Sequence, residues 1–274
     1  MKNIKAIDSF CKQQKFTKIN TDSNFGSHMP YIFYSIENTK YMVFDILEGN
    51  VWKIYLLNFE TNKISRIKTE TYKNYSVNEC NPTIYWNNEI KKYVLSYVSA
   101  PAYSGNRTGI IGYSSDLKNW EWKTFEQSVN FFADTLNWTI FSESLNGECI
   151  SICNKQGELK HQILCTQYTL ARITPMFNDD SKLFVSVYHK NPNIYKIFTI
   201  LVDLNNLDQP EQVIMIDDNV PGNLKPYKGV IDPLTGMLYF THRKSEEFED
   251  REILCTTKYS IKPWGYRLLR IQYK

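Results

Sequence analysis

Three carboxylates stand at widely separated points of the chain, each shortly before a segment that is typical of a β-hairpin: Asp22, Glu79 and Asp134. Carboxyl groups that a fold brings together can act as a general acid and a general base. Hydrolysis of a glycosidic bond uses two of them, ~5 Å apart for retention of configuration and ~6.5–9.5 Å apart for inversion. The competing interpretation is that these carboxylates cap turns or are solvated loop charges.

Other residues near the predicted hairpins are suited to holding a ligand. His28 precedes the first hairpin, Arg172 precedes the fourth and Lys225 precedes the fifth. Tyr103 and Arg107 lie in a long loop, and both residue types are frequent in recognition surfaces. These five residues are candidate substrate-binding residues.

The sequence contains no pattern that predicts a metal or a cofactor. Its six cysteines are scattered without a C-x-x-C pair, and its four histidines are not clustered. Structural zinc sites bring their ligands in close pairs, and nucleotide sites have glycine-rich motifs. We therefore expect neither a metal nor a cofactor.

The elements that would position these residues form a repeat. From Pro30 onward, runs of about 5 to 8 apolar and β-branched residues alternate with Asn, Gly, Asp and Pro turns, which indicates an all-β fold. One hairpin pattern recurs along the chain: a strand that begins near a proline, a polar turn and an aromatic-rich second strand. A weaker copy, without the proline, lies at 138–154. The clear copies are Pro30–Leu47, Pro82–Ser99, Pro175–His189 and Pro226–Arg243.

A further pair of strands follows each hairpin, so the chain predicts five four-stranded units. Five such units without covering helices favour a single-domain, five-bladed β-propeller of antiparallel blades over residues 1–274, since a propeller buries both faces of each blade. A six-bladed ring is the alternative. The expected parts are a lead-in at 1–29 and blades at 30–70, 79–126, 134–173, 174–217 and 225–274.

One turn carries a resemblance to a known family. Ser114–Trp120 reads S-S-D-L-K-N-W, in which the Asp116 carboxylate is expected to accept hydrogen bonds from the backbone N–H groups that follow it. This turn, with the Pro82–Ser99 hairpin, resembles the blades of the five-bladed propeller glycoside hydrolases, the arabinanase, xylosidase and invertase-like enzymes. The turn itself is expected to build the blade and to carry no chemistry.

The resemblance implies a catalytic set at the mouth of the central channel. The family uses three channel carboxylates from different blades, which implies Glu79 or Asp134 as the acid and Asp22 as the base. The chain departs from the family at Ser27–Met29, where those enzymes place an aspartate directly before the first hairpin. This departure favours a protein without catalytic activity.

The net charge and the distribution of apolar residues limit the classes of partner to be expected. The net charge of +3 gives no reason to expect a nucleic-acid partner, and no stretch is apolar and long enough to span a membrane. The N-terminus lacks the apolar run of a signal peptide, so synthesis in the cytosol is expected. The oligomeric state cannot be read.

The main functional hypothesis is a non-catalytic binding or structural propeller for protein or glycan partners, as a component of an assembly such as a virion or tail. The alternative is a glycoside hydrolase that uses the channel-mouth carboxylates.

Overall fold

The computed structural model describes the chain from residue 27 to residue 273 with gaps. The described ranges are 27–48, 51–71, 73–74, 76–101, 107–142, 149–164, 168–176, 179–189, 197–205, 212–216, 224–231, 237–244, 252–258 and 270–273. All regular secondary structure in these ranges is β-strand. No described helix is long and apolar enough to cross a membrane.

The first two sheets each contain four antiparallel strands in chain order. In the first sheet they are β1 (Ser27–Tyr34), β2 (Lys40–Glu48), β3 (Val51–Asn58) and β4 (Lys63–Arg66). In the second they are β5 (Val77–Asn87), β6 (Lys92–Pro101), β7 (Thr108–Ser114) and β8 (Glu121–Ser128). The predicted hairpins at Pro30–Leu47 and Pro82–Ser99 are therefore confirmed as β1–β2 and β5–β6.

The remaining strands form three sheets, and the third has a fifth strand from the end of the chain. The third sheet contains β9 (Phe131–Asp134), β10 (Trp138–Ser142), β11 (Cys149–Asn154) and β12 (Leu159–Leu164). The fourth contains β13 (Tyr168–Met176), β14 (Asp179–His189), β15 (Ile197–Asp203) and β16 (Gln212–Ile216). The fifth contains β17 (Leu224–Ile231), β18 (Met237–Lys244) and β19 (Glu252–Lys258), and the last strand is β20 (Arg270–Tyr273).

The five sheets are the blades of a closed β-propeller. Their first strands touch in cyclic order, β1 with β5, β5 with β9, β9 with β13, β13 with β17 and β17 with β1. The Tyr31 hydroxyl also donates to the Pro175 carbonyl oxygen at 3.1 Å, which joins two blades that are not neighbours in the ring. The prediction of an all-β, five-bladed propeller is confirmed, and the six-bladed alternative is wrong.

Two parts of the repeat differ from the prediction. The hairpin expected at 138–154 is β10–β11, the second and third strands of its sheet, because the first strand is the four-residue, fully buried β9. A strand buried on both sides has no polar alternation that marks it in the sequence. The last unit was expected to hold a strand pair over 252–273, but β20 pairs with β12 in the third sheet.

Prolines mark irregular pairing near the start of the innermost strands. The pairing register shifts across Pro30 in β1 and across Pro82 in β5, and it shifts again directly after Pro226 in β17. Proline has no N–H to donate to a ladder, so it is tolerated where a bulge interrupts the pairing. At the second of these sites Asn81 takes a left-handed φ of 60°.

The Ser114–Trp120 turn has the predicted local chemistry. The Asp116 carboxylate accepts hydrogen bonds from the backbone N–H groups of Lys118 and Asn119 at 2.9 and 2.8 Å. After the turn, Trp122 packs where Gly112 leaves room on the neighbouring strand, since a Cβ at Gly112 would lie 2.1 Å from the indole ring. The turn thus sets the edge of the second blade, as predicted.

Candidate functional site

The structure places some of the predicted binding residues by backbone position alone. His28 in β1 lies opposite Asp45, Arg172 in β13 lies opposite Ser186, and Lys225 in β17 pairs with the last sheet's second strand. All three are in the first strands of their sheets, and their role in binding stays a prediction. Asp22 and Tyr103 lie outside the described residues.

The sequence did not single out Asp45, which lies opposite His28 at the end of the channel where these strands begin. Asp45 is fully buried, and its Oδ2 accepts a hydrogen bond from the Asn81 backbone N–H at 3.2 Å. Burial raises the pKa of the nearby Cys80 thiol, the Asp45 charge raises it further, and the charge of the exposed Arg107 opposes both. Arg107 therefore lies close enough to this end of the second blade to act on it electrostatically.

Glu79 is enclosed between the first two blades. Its carboxylate and the Lys53 ammonium form an ion pair at 3.2 Å in which both side chains are 0% exposed. Oε1 also accepts from the Thr69 and Thr71 hydroxyls at 2.6 and 2.8 Å, and Oε2 accepts from the Ile54 N–H at 3.3 Å. Such a carboxylate is held by the protein on every side and joins two sheets.

Asp134 lies on the other face of the second blade from Glu79. It is the last residue of β9 in the third blade, its N–H donates to the Ser96 hydroxyl at 2.9 Å, and the Tyr85 hydroxyl donates to its Oδ2 at 3.4 Å. The Glu79 carboxylate is instead bonded to Lys53 of the first blade. The structure therefore does not bring Glu79 and Asp134 together as a catalytic pair.

A cleft of about 730 Å³ opens between the second and third blades beside Asp134. Asp134 lies at its wall and is 6% exposed, with Oδ1 accepting from Lys155 Nζ at 2.7 Å and from the Thr139 hydroxyl at 3.2 Å. The opposite wall includes Glu121, which is 77% exposed and receives a hydrogen bond from Lys92 Nζ at 2.8 Å. Two carboxyl groups therefore line one cleft.

The pKa values of these two carboxyl groups are displaced in opposite directions. Burial raises the pKa of Asp134, although the charge and the hydrogen bond of Lys155 oppose the shift. The hydrogen bond and the charge of Lys92 lower the pKa of Glu121. Burial and the Asp134 charge also raise the pKa of the Tyr85 phenol, so that it remains a hydrogen-bond donor.

Sequence reasoning singled out Asp134 and missed Glu121. Glu121 directly follows the Ser114–Trp120 turn, and no pattern in the sequence relates it to Asp134. The described residues contain no group of three His, Cys, Asp or Glu side chains placed to hold a metal ion.

The fold defines the class of protein as a five-bladed β-propeller. The solved structures that are similar to it include glycoside hydrolases. An exo-β-1,3-galactanase from Phanerochaete chrysosporium superposes with a TM-score of 0.57 at 12% identity, over 84% of this chain and 60% of that one. A family GH43 endo-arabinanase from Bacillus licheniformis gives 0.55 at 13%, over 85% and 93% of the two chains. A GH43 β-1,3-galactosidase in complex with galactodeoxynojirimycin gives 0.54 at 9%, over 85% and 89%.

These comparisons confirm the resemblance at the level of the fold. The chain spans about 60% of the length of the galactanase. No protein-family model matches the chain, and no curated protein matches it by sequence.

The comparisons correct the main functional hypothesis. The expected non-catalytic structural propeller, a component of a virion or tail, is contradicted, because the similar solved structures are glycoside hydrolases. They favour the alternative, a hydrolase.

Proposed function

We propose that the protein is a glycoside hydrolase whose acid and base are Asp134 and Glu121 in the cleft between the second and third blades. The observation that supports this most directly is that a buried carboxyl group, Asp134, and an exposed one, Glu121, line the same cleft. Glycosidases need one carboxyl group that keeps its proton and one that is ionised, and their environments separate the two roles. A fold by itself would not assign this chemistry.

In this proposal Asp134 protonates the oxygen of the leaving sugar. Its buried position favours the neutral acid, and the Tyr85 and Thr139 hydroxyls hold the carboxyl group in place. Glu121 is ionised at neutral pH and takes the proton of the attacking water. When the glycosidic bond breaks, the proton from Asp134 remains on the leaving group and the water oxygen remains on the cleaved sugar.

Glu79 takes no part in this proposal, because its carboxylate is enclosed by Lys53 and two threonine hydroxyls. Phe125 and the buried Phe141 pack on each other with their ring centres 5.6 Å apart and give the same cleft an apolar lining. The resemblance implied a site at the channel mouth. The proposed site lies instead in the cleft between the second and third blades.

The test is hydrolysis of a panel of aryl galactosides and arabinosides by the purified protein. Asp134→Asn and Glu121→Gln should each lower kcat by about 10²–10⁴-fold, the usual contribution of a positioned acid or base. Glu158→Gln is the matched control, because Glu158 is an exposed carboxylate that pairs with Lys160 and does not line the cleft.

The channel mouth supplies the opposite arm of the experiment. Arg172→Ala and Lys225→Ala alter residues of the innermost strands near the channel mouth. Should these variants lose hydrolysis while Asp134→Asn keeps it, the reaction occurs at the channel mouth and the proposed acid is wrong. Absence of hydrolysis over the whole panel, and over matched uronosides, would reject the proposed activity.

A further inference from the structure

We propose that the cleft between the second and third blades binds an anionic sugar, such as a uronic acid or a sulfated sugar, rather than a neutral one; this inference rests on the proposed function for its site. It is drawn from the charges that face the cleft. Three lysines line it, Lys92, Lys123 and Lys155, against a single well-exposed carboxylate, Glu121.

The second carboxyl group does not cancel this positive charge. Asp134 is 6% exposed, and it accepts hydrogen bonds from Lys155, Thr139 and Tyr85. An incoming ligand therefore meets more ammonium groups than carboxylates.

Lys155 has capacity left for a ligand. Its ammonium has three N–H donors, and the described hydrogen bonds use one of them, to Asp134. The side chain is 34% exposed, so its remaining donors can reach an anionic group in the cleft. An ammonium beside the acid would place the charged substituent of the sugar close to the bond that is cleaved.

Lys123 provides a second cation on the facing wall. It is exposed, and its Nζ lies 5.6 Å from the centre of the Tyr113 ring, which holds the charge over the cleft wall. Phe125 and the buried Phe141, which pack on each other, add apolar lining. Cations on two walls and apolar surface between them fit a sugar that carries one negative group.

The experiment measures binding without turnover. Asp134→Asn protein is titrated by calorimetry with trigalacturonic acid, with galactotriose as its neutral counterpart, and with a sulfated galactotriose. We expect both anionic ligands to bind at least tenfold more tightly than the neutral one, with a difference that shrinks on raising the salt from 0.05 to 0.5 M, as for screened charges.

Lysine variants locate the site. In the same background, Lys123→Gln and Lys155→Gln should each weaken the anionic ligands about tenfold and leave the neutral ligand within twofold. Lys118→Gln is the control, since Lys118 is exposed in the 115–119 turn and does not line the cleft. Equal affinity for anionic and neutral ligands, or an equal loss in the control, overturns the proposal.

The two anionic ligands and the hydrolysis assay keep the possible failures apart. A preference for the sulfated sugar alone would identify sulfate esters, and a preference for the uronate alone would identify carboxylates. If the anionic ligand binds in the cleft and the wild-type protein cleaves neither that ligand nor any glycoside of the panel, the hydrolase function fails and this inference stands. If neutral glycosides are cleaved with the expected dependence on Asp134 and anionic sugars do not bind, this inference alone fails.

Discussion

Replacement of Lys53 by methionine should be among the most destabilising single changes in the described part of the chain. Lys53 Nζ donates to the Val77 carbonyl at 2.8 Å, to the Asn74 carbonyl at 2.9 Å and to Glu79 Oε1 at 3.2 Å. Methionine fills a similar volume but leaves the Glu79 carboxylate buried without a cation. Thus the variant isolates the charge and the hydrogen bonds from the packing.

The size of the effect follows from the burial of both partners. Removal of one member of a fully buried ion pair costs about 3–5 kcal/mol, because the remaining charge stays desolvated. For a chain of 274 residues, about 1 kcal/mol corresponds to about 2 °C in Tm, so the loss should be roughly 6–10 °C. The free energy of unfolding of a folded protein is about 5–15 kcal/mol, so this loss is a large fraction of the total stability.

The assay is chemical unfolding in urea, followed by tryptophan fluorescence, for Lys53→Met, Glu79→Gln and the double variant. Glutamine keeps an oxygen that accepts from the Thr69 and Thr71 hydroxyls. The double variant has no charge left at this ion pair, so its loss should be at least about 1–2 kcal/mol smaller than the sum of the single losses.

An exposed ion pair provides the control. Lys160 and Glu158 are 45% and 63% exposed, and Lys160→Met should cost less than about 1 kcal/mol. A Lys53→Met loss as small as that of Lys160→Met, or strictly additive losses in the cycle, would refute the conclusion that this ion pair joins the first two blades in a dry environment.

Three further outcomes are expected. Lys155→Met removes the charge and hydrogen bond that oppose the raised pKa of Asp134, so the alkaline limb of kcat/KM, where the acid loses its proton, should move to higher pH; an unmoved limb would count against Asp134 as the acid. Gly112→Ala forces a Cβ against the Trp122 ring and should cost about 1–3 kcal/mol in urea unfolding, and a variant as stable as wild type would contradict this contact. Backbone hydrogen bonds hold the pKa of Asp116 well below its usual range, so its stabilisation should be fully present above pH ~4 and decrease as the pH falls; the difference between the thermal melts of Asp116→Asn and wild type should therefore shrink as the pH falls below ~4, and a constant difference would oppose this account.

Local chemistry explains which parts of the fold were predictable. The β5–β6 hairpin and the turn at Asp116 depend on residues close in sequence, through alternation of strand residues and a carboxylate that accepts from the next N–H groups. The sequence repeat extended this prediction from one blade to five. It failed at β9, where four buried residues have no alternation, and at β20, whose pattern marks a strand but not its partner.

The sequence by itself determined that the chain forms short antiparallel strands in a repeated unit, because turn chemistry and side-chain alternation are local. Only the tertiary structure decided what the charged side chains do. Lys53 and Glu79 are buried because both faces of a blade are covered by its neighbours, which no single strand shows. Asp134 and Glu121 line the same cleft because the second and third blades pack side by side. The separation of the two residues along the chain does not predict this packing.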